Sequence, residues 1–345
     1  MSEPQILVTR RIPEPGLEQL RQSGAHVTVL QPDEELAVTK RDLLDRIGEC
    51  DVLLCLLTER IDRDVLAANP RLAGVAQMAV GFNNIDWASA TEMGIPVSNT
   101  PGVLTESTAD FTWAMLLSLA RRIPEAHNYM VAGRYKLWGP NLLLGSDVGP
   151  GADGRKKTLG IVGYGRIGKA VARRAIGFDM EVLAFDPFNR EGIETSANAG
   201  WADFPDLLAR SDFVTLHTPL NADTHHLIGV DELRAMKPTA CLVNAARGPI
   251  IDEVALVRAL REGWIAGAAL DVYENEPRMA PGLAECPNAV LLPHIASATT
   301  DTRNLMATMA ANNAVAHLRG HEAPNVINPD VYSNDRYLRR RRSRE

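Results

Sequence analysis

Residues 158–178 read TLGIVGYGRIGKAVARRAIGF. A short apolar run passes directly into Gly163-Tyr164-Gly165-Arg166-Ile167-Gly168, and an amphipathic, helix-forming run follows without a break. The next apolar run, EVLAFD, ends in Asp186, eighteen residues past Gly168. Strand, glycine turn, helix, strand and acid at that spacing predict a dinucleotide-binding βαβ unit. Each glycine has its own reason. Gly163 permits the tight turn, Gly165 lets backbone amides approach a pyrophosphate, and Gly168 lets the helix lie close on the sheet. The free amides and positive dipole end of the helix then face the phosphates, with Arg166 and the Ile167 amide nearest. Asp186 is placed to accept hydrogen bonds from ribose hydroxyls, and its charge would repel a 2′-phosphate, which favours NAD over NADP. Arg190, close by, works against that preference.

FVTLH (213–217), ACLVN (240–244), AGAALD (266–271) and AVLL (289–292) join TLGIVG and EVLAFD as six strand candidates, with helical patterns between most of them. Upstream, apolar runs at 5–9, 26–30, 51–57, 72–78 and 96–98 alternate with amphipathic stretches. Runs apolar on both faces mean parallel strands covered by helices on each side. A helix apolar around most of its girth is expected over 105–121, and a glycine- and proline-rich excursion over 133–157 that could reach a neighbouring subunit. A last helix over 301–318 returns to the first unit. The expected architecture is therefore α/β: two Rossmann-like or flavodoxin-like domains with parallel sheets and a cleft between them. Residues 1–104 plus 295–330 would form the substrate domain, 105–294 the dinucleotide domain, and 331–345 a basic, disordered tail.

Composition narrows the function. Of 345 residues, 46 % are hydrophobic and 23 % charged, ordinary for a globular protein. The net charge of −7 includes a cationic end, since 336–345 holds six Arg against one Glu, so the remainder is more acidic than the total. Such a surface repels nucleic acid and anionic lipid. Cys50, Cys55, Cys241 and Cys286 form no C-x-x-C pair, which fits free thiols in a reducing cytoplasm. No leader, membrane span or peroxisomal ending is expected.

The later strand ends carry polar residues that a structural sheet does not require: His217 and Thr218, Asn244 and, past the cofactor-side Ala245, Arg247, then Asp271 and His294. Carboxyl ends of strands are where open α/β sheets bind ligands. Arg247, Glu276 and His294 together supply what reduction of a 2-keto acid needs. A guanidinium pairs with a carboxylate through two bonds and polarises the carbonyl. An imidazole gives a proton to the oxygen as hydride arrives, and a neighbouring carboxylate orients the ring and favours its protonated form. No metal is required, and His317 and His321, four apart, are expected on a solvated helix face.

These residues sit within VGFNNID (80–86), NTPGVLTE (99–106), LVNAARGPIID (242–252), LDVYENEP (270–277) and LPHIASAT (292–299). With the glycine turn, these motifs resemble the D-isomer-specific 2-hydroxyacid dehydrogenases over nearly the whole chain to about Pro329, most closely glyoxylate/hydroxypyruvate reductases. The resemblance implies hydride transfer between NADH and a small 2-keto acid, with Arg247 binding substrate, Glu276 paired with His294, and His294 as acid and base. It further implies that Val80 and Gly81 offer amides to the substrate carboxylate, that Ser297 lies near the substrate, and that Thr108, His217 and Asp271 touch the cofactor. Two subunits would pair through the cofactor domains, with Trp138 reaching the partner's site. Pocket size would depend on packing around Leu57, Trp138 and the loop at Val80. Residues 145–157 are longer and richer in glycine than the family's usual lead-in. The absence of a regulatory domain after Pro329 speaks against the long phosphoglycerate dehydrogenases, but a phosphoglycerate-type or other hydroxyacid dehydrogenase stays open. So does an NAD-sensing dimeric scaffold resembling the family's co-repressors.

Overall fold

The computed structural model describes residues 3–33 and 35–342. The chain opens β1 (Gln5–Arg10), α1 (Glu14–Gln22), β2 (His26–Gln31), α2 (Lys40–Ile47), β3 (Val52–Cys55), α3 (Arg63–Ala67), β4 (Gly74–Gln77), α4 (Trp87–Glu92) and β5 (Val97–Ser98). Then come α5 (Thr105–Ala120), α6 (Ile123–Val131), β6 (Thr158–Val162), α7 (Arg166–Ala175), β7 (Glu181–Phe185), α8 (Arg190–Glu194), β8 (Gly200–Trp201), α9 (Phe204–Arg210) and β9 (Phe213–Leu216). It continues with α10 (Val230–Ala235), β10 (Cys241–Asn244), α11 (Glu253–Glu262), β11 (Gly267–Leu270), β12 (Ala289–Leu291), α12 (Thr300–Leu318) and α13 (Asp335–Arg342). Two compact units result, one from residues 1–104 with 298–345, the other from 105–297.

In the first unit five parallel strands run in the order β2-β1-β3-β4-β5. Side chains alternate across the sheet as the pleat demands. Ile6, Val8, Val52 and Leu54 pack toward Leu17, Leu20, Met306 and Ala310, while Leu7, Leu53 and Cys55 pack toward Leu43, Ile47, Val65 and Leu66. Both faces are therefore dry, as continuous apolar runs require. The alanines of α12 let it approach α1 closely. A β-carbon on Gly16 would lie 2.8 Å from that of Ala307.

The second unit holds seven parallel strands in the order β12-β11-β10-β9-β6-β7-β8, one more than expected. The addition, β8, is only two residues long and paired through Leu183 and Ala184, too short to leave an apolar run. Helix α5 is buried along Ala109, Thr112, Trp113, Met115 and Leu116, in line with its apolar girth. No helix or strand forms between α6 and β6, so the glycine-rich excursion is irregular.

Two expectations are corrected. The basic end is no free tail: α13 is helical, Tyr337 is buried, and Arg340 donates to the Leu72 carbonyl at 2.8 Å. The aromatic residues explain this, since Tyr337 packs edge-on against Tyr332 with ring centroids 5.1 Å apart. Residues 343–345 lie outside the described residues. Nor is His317 on a solvated face. It is buried under the first sheet, its Nε2 2.9 Å from Ser98 Oγ, and only His321 is exposed. Among the described residues no helix is long and apolar enough to cross a membrane.

Candidate active site

The glycine turn leaves the interior strand β6 and enters α7 as its spacing implies. Gly163 has φ +93°, and a β-carbon there would sit 2.7 Å from the carbonyl carbon of His217 on the neighbouring strand end. A β-carbon on Gly168 would collide with the Gly163 carbonyl, whereas the space beside Gly165 is open. Gly165 caps α7 with no side-chain hydrogen bond, so the amides of that first turn, at Arg166 and Ile167, are left for a ligand. Asp186 follows β7. Its two oxygens accept from the amides of Tyr164 at 2.9 Å and Phe188 at 3.0 Å, which ties the acid to the glycine turn. Arg190 is held elsewhere: it bonds Glu194 at 2.8 Å and lies 3.9 Å above the Trp201 ring.

Among the described residues, two buried polar atoms next to this turn have no partner, His217 Nε2 and Thr218 Oγ1. Burial pushes the imidazole of His217 down to about 4, so it is neutral at ordinary pH. Buried polar atoms are normally satisfied, and a cradle without side chains beside two orphans fits a bound dinucleotide. Ala245 follows β10 and is half-buried, and Thr108 is buried in α5.

Arg247, Glu276 and His294 come together in the same unit. His294 Nδ1 is 2.9 Å from Glu276 Oε2, and Glu276 Oε1 accepts the Tyr273 amide at 3.0 Å. Burial alone would lift the Glu276 carboxyl. The hydrogen bond and charge of His294, the Tyr273 amide and the Arg247 guanidinium outweigh it and hold the acid below its usual range. Burial lowers the pKa of Arg247, and the nearby Glu276 charge opposes that shift. Arg247 Nη1 also donates to the Ala246 carbonyl at 2.6 Å.

The loop bearing His294 hangs from Asp271, which is fully buried. The Asp271 carbonyl accepts the His294 amide at 2.8 Å, and its carboxylate accepts the amides of Ile295 and Ala296, each at 2.8 Å. His294 itself has φ +55°, a left-handed conformation that these bonds enforce on a non-glycine residue. Desolvation raises the Asp271 carboxyl above its usual value against the pull of those two amides. Asp271 thus anchors this loop from within, and no contact outside its own unit is needed to explain its burial.

Two residues at this site escape sequence reading. Gly248 lets the Arg247 turn rest on the backbone of Tyr273, where a β-carbon would collide. Glu253, buried at the start of α11, accepts the amides of Glu274 at 2.5 Å and Ala280 at 2.8 Å, bracketing Glu276. Glycine after an arginine and acid before a helix were the only signals. Ser297 is buried at the end of this unit, and Trp138 is 72 % exposed within the excursion. Leu57, Val80 and Gly81 belong to the other unit and are half-buried beyond the carboxyl ends of β3 and β4.

The glycine turn with its orphaned neighbours marks the second unit as a nucleotide-binding domain. The profile of the D-isomer specific 2-hydroxyacid dehydrogenase NAD binding domain matches residues 113–296. A glyoxylate reductase of Korarchaeum cryptofilum is 48 % identical over 332 residues, covering 95 % of this chain and 97 % of the relative. A solved Thermus thermophilus protein superposes with TM-score 0.85 at 42 % identity, covering 94 % of this chain and 99 % of that one. An NADPH-dependent glyoxylate/hydroxypyruvate reductase of Sinorhizobium meliloti, solved with NADP and malonate, gives 0.78 at 32 %, covering 94 % and 97 %. The chain belongs to the D-isomer specific 2-hydroxyacid dehydrogenase family and is an NAD-dependent enzyme of that class.

Proposed function

We propose that this enzyme uses NADH to reduce glyoxylate to glycolate and hydroxypyruvate to D-glycerate. The observation that carries the reading is the Arg247, Glu276 and His294 cluster beside a dinucleotide cradle in one unit. Bound NADH supplies the hydride to C2 of the keto acid. Arg247 pairs with the substrate carboxylate and draws electron density toward the carbonyl oxygen. His294 donates the proton that turns that oxygen into a hydroxyl. Its Nδ1 is engaged by Glu276, so Nε2 is the nitrogen that gives the proton. Glu276 balances the imidazolium and fixes the ring plane. The resemblance to the family assigns the amides of Val80 and Gly81 to the substrate carboxylate, and Leu57 and Ser297 to its surroundings. His217, Thr218, Thr108 and Ala245 flank the cofactor in this reading, while Asp271, with both carboxylate oxygens taken by the Ile295 and Ala296 amides, serves it only through the loop it holds.

Asp186 favours NADH, and the pairing of Arg190 with Glu194 and Trp201 supports this, because that guanidinium is drawn away from service as a 2′-phosphate ligand. A homodimer through the cofactor unit is supported by an exposed apolar series, Ile123, Met130, Val131, Leu137, Trp138 and Leu144, which the reading places on a partner subunit. Four buried free thiols suit a cytoplasmic setting. A panel of 2-keto acids run with NADH and with NADPH tests the assignment, alongside Arg247→Ala. Unchanged turnover of every acid by that variant would refute the mechanism.

A further inference from the structure

The half-buried turn after β4 carries an unusual set of hydrogen bonds. The Ala79 carbonyl accepts the Thr100 amide at 2.9 Å, and the Val80 carbonyl accepts Asn99 Nδ2 at 2.7 Å. The Gly81 carbonyl accepts Gln77 Nε2. Three consecutive carbonyls are therefore tied down, two of them by side-chain amides. In a planar trans peptide the carbonyl and the following N–H point to opposite sides, so holding each oxygen fixes the direction of the next amide. Those amides belong to Val80, Gly81 and Phe82. Among the described residues none of the three donates to an acceptor.

The tethers are themselves anchored. Gln77 is fully buried and Asn99 is 7 % exposed. Gln77 Nε2 also reaches Asn84 Oδ1 at 2.9 Å, and Asn84 Nδ2 donates to the carbonyls of Leu56 at 3.0 Å and Glu59 at 2.8 Å. Burying uncharged amides in this way is favourable only because each is satisfied. The network joins the turn that carries Leu57 to the turn that carries Val80 and Gly81.

We infer that Gln77, Asn84 and Asn99 are positioning residues that pre-aim the amides of Val80, Gly81 and Phe82 as a carboxylate cradle. The inference rests on the keto-acid reading above and deepens it, adding Phe82 as a third donor and naming the residues that set the geometry. Charge-assisted bonds from amides need no reorganisation when their carbonyls are already held, so the cradle acts on binding more than on the chemical step.

The test is steady-state kinetics with glyoxylate, inhibition by oxalate, and NADH binding, on Gln77→Met and Asn99→Leu, with melting temperatures recorded. Each variant is expected to raise KM for glyoxylate and Ki for oxalate about tenfold, the loss of roughly one hydrogen bond, while kcat and NADH affinity stay within about threefold. Asn99→Gln, which keeps the donor, should recover part of the loss. If both variants fold and leave KM and Ki within twofold while Arg247→Ala raises them, the positioning role is overturned and the function stands. If Arg247→Ala also leaves oxalate inhibition unchanged, the keto-acid reading itself fails. Should Gln77→Met not fold, Asn99→Leu and Asn84→Asp decide by the same criteria.

Discussion

Gly248 rests on the backbone of Tyr273 so closely that a β-carbon would overlap the Tyr273 carbonyl group. This contact joins the turn of Arg247 to the loop of Glu276, because Tyr273 also gives its amide to the Glu276 carboxylate at 3.0 Å. Gly248→Ala should therefore displace the guanidinium from the imidazole pair. A shift near 1 Å costs on the order of 10²-fold in rate. Steady-state assays should show kcat/KM down by about that factor with NADH affinity little changed.

Glu253→Leu attacks the same loop from beneath. It strips the acceptor from the Glu274 and Ala280 amides, which the buried carboxylate now satisfies. Leaving buried donors unmade costs about 1–3 kcal/mol each. Urea denaturation should read a loss of roughly 2 kcal/mol or more, and turnover should fall with it.

Asp186→Ala should shift coenzyme use toward NADPH by removing the charge that opposes a 2′-phosphate. The measurement is the ratio of kcat/KM values for NADPH and NADH, expected to rise at least about tenfold, the equivalent of about 1.4 kcal/mol. No rise in that ratio would remove Asp186 from the selecting role.

His317 makes stability depend on pH. Burial pushes its imidazole down to about 3 in the folded chain, against an ordinary value of 6.5. Between those values the unfolded chain binds a proton that the folded chain refuses. Stability is therefore full above pH 6.5 and falls as the medium is acidified, by up to about 1.4 kcal/mol per pH unit. Denaturation at pH 7 and pH 5 should show this loss, and His317→Phe should reduce it relative to the parent, with buried His217 supplying a remainder.

Tyr337→Ala should destabilise the first unit by about 3 kcal/mol, as large-to-small changes at buried aromatic positions do. Melting temperature reads it directly, and an unchanged value would mean that α13 contributes nothing to the unit.

TLGIVG and the glycines after it form strand, turn and helix because those signals are local and agree. The triad was legible for another reason: Arg247, Glu276 and His294 are polar residues at strand ends, where a sheet alone has no use for them. What escaped was non-local. Two residues of β8 leave no periodicity, the arginines around Tyr337 mask its burial, and the spacing of His317 and His321 says nothing about a sheet covering only one of them. Gln77 sits among apolar neighbours, and its partner at Gly81 is a backbone carbonyl that no side-chain pattern reports.

One face of the first sheet waits for α12, whose Met306, Ala307 and Ala310 cover Ile6 and Val8. During synthesis those opening strands leave the ribosome long before their cover does, while the intervening dinucleotide-binding segment is already whole. At about 5–20 residues per second the stretch from Val8 to Met306 takes roughly 15–60 s. For that interval the earliest apolar strands stand half-covered, so the nascent chain shows water an apolar face that the finished enzyme hides.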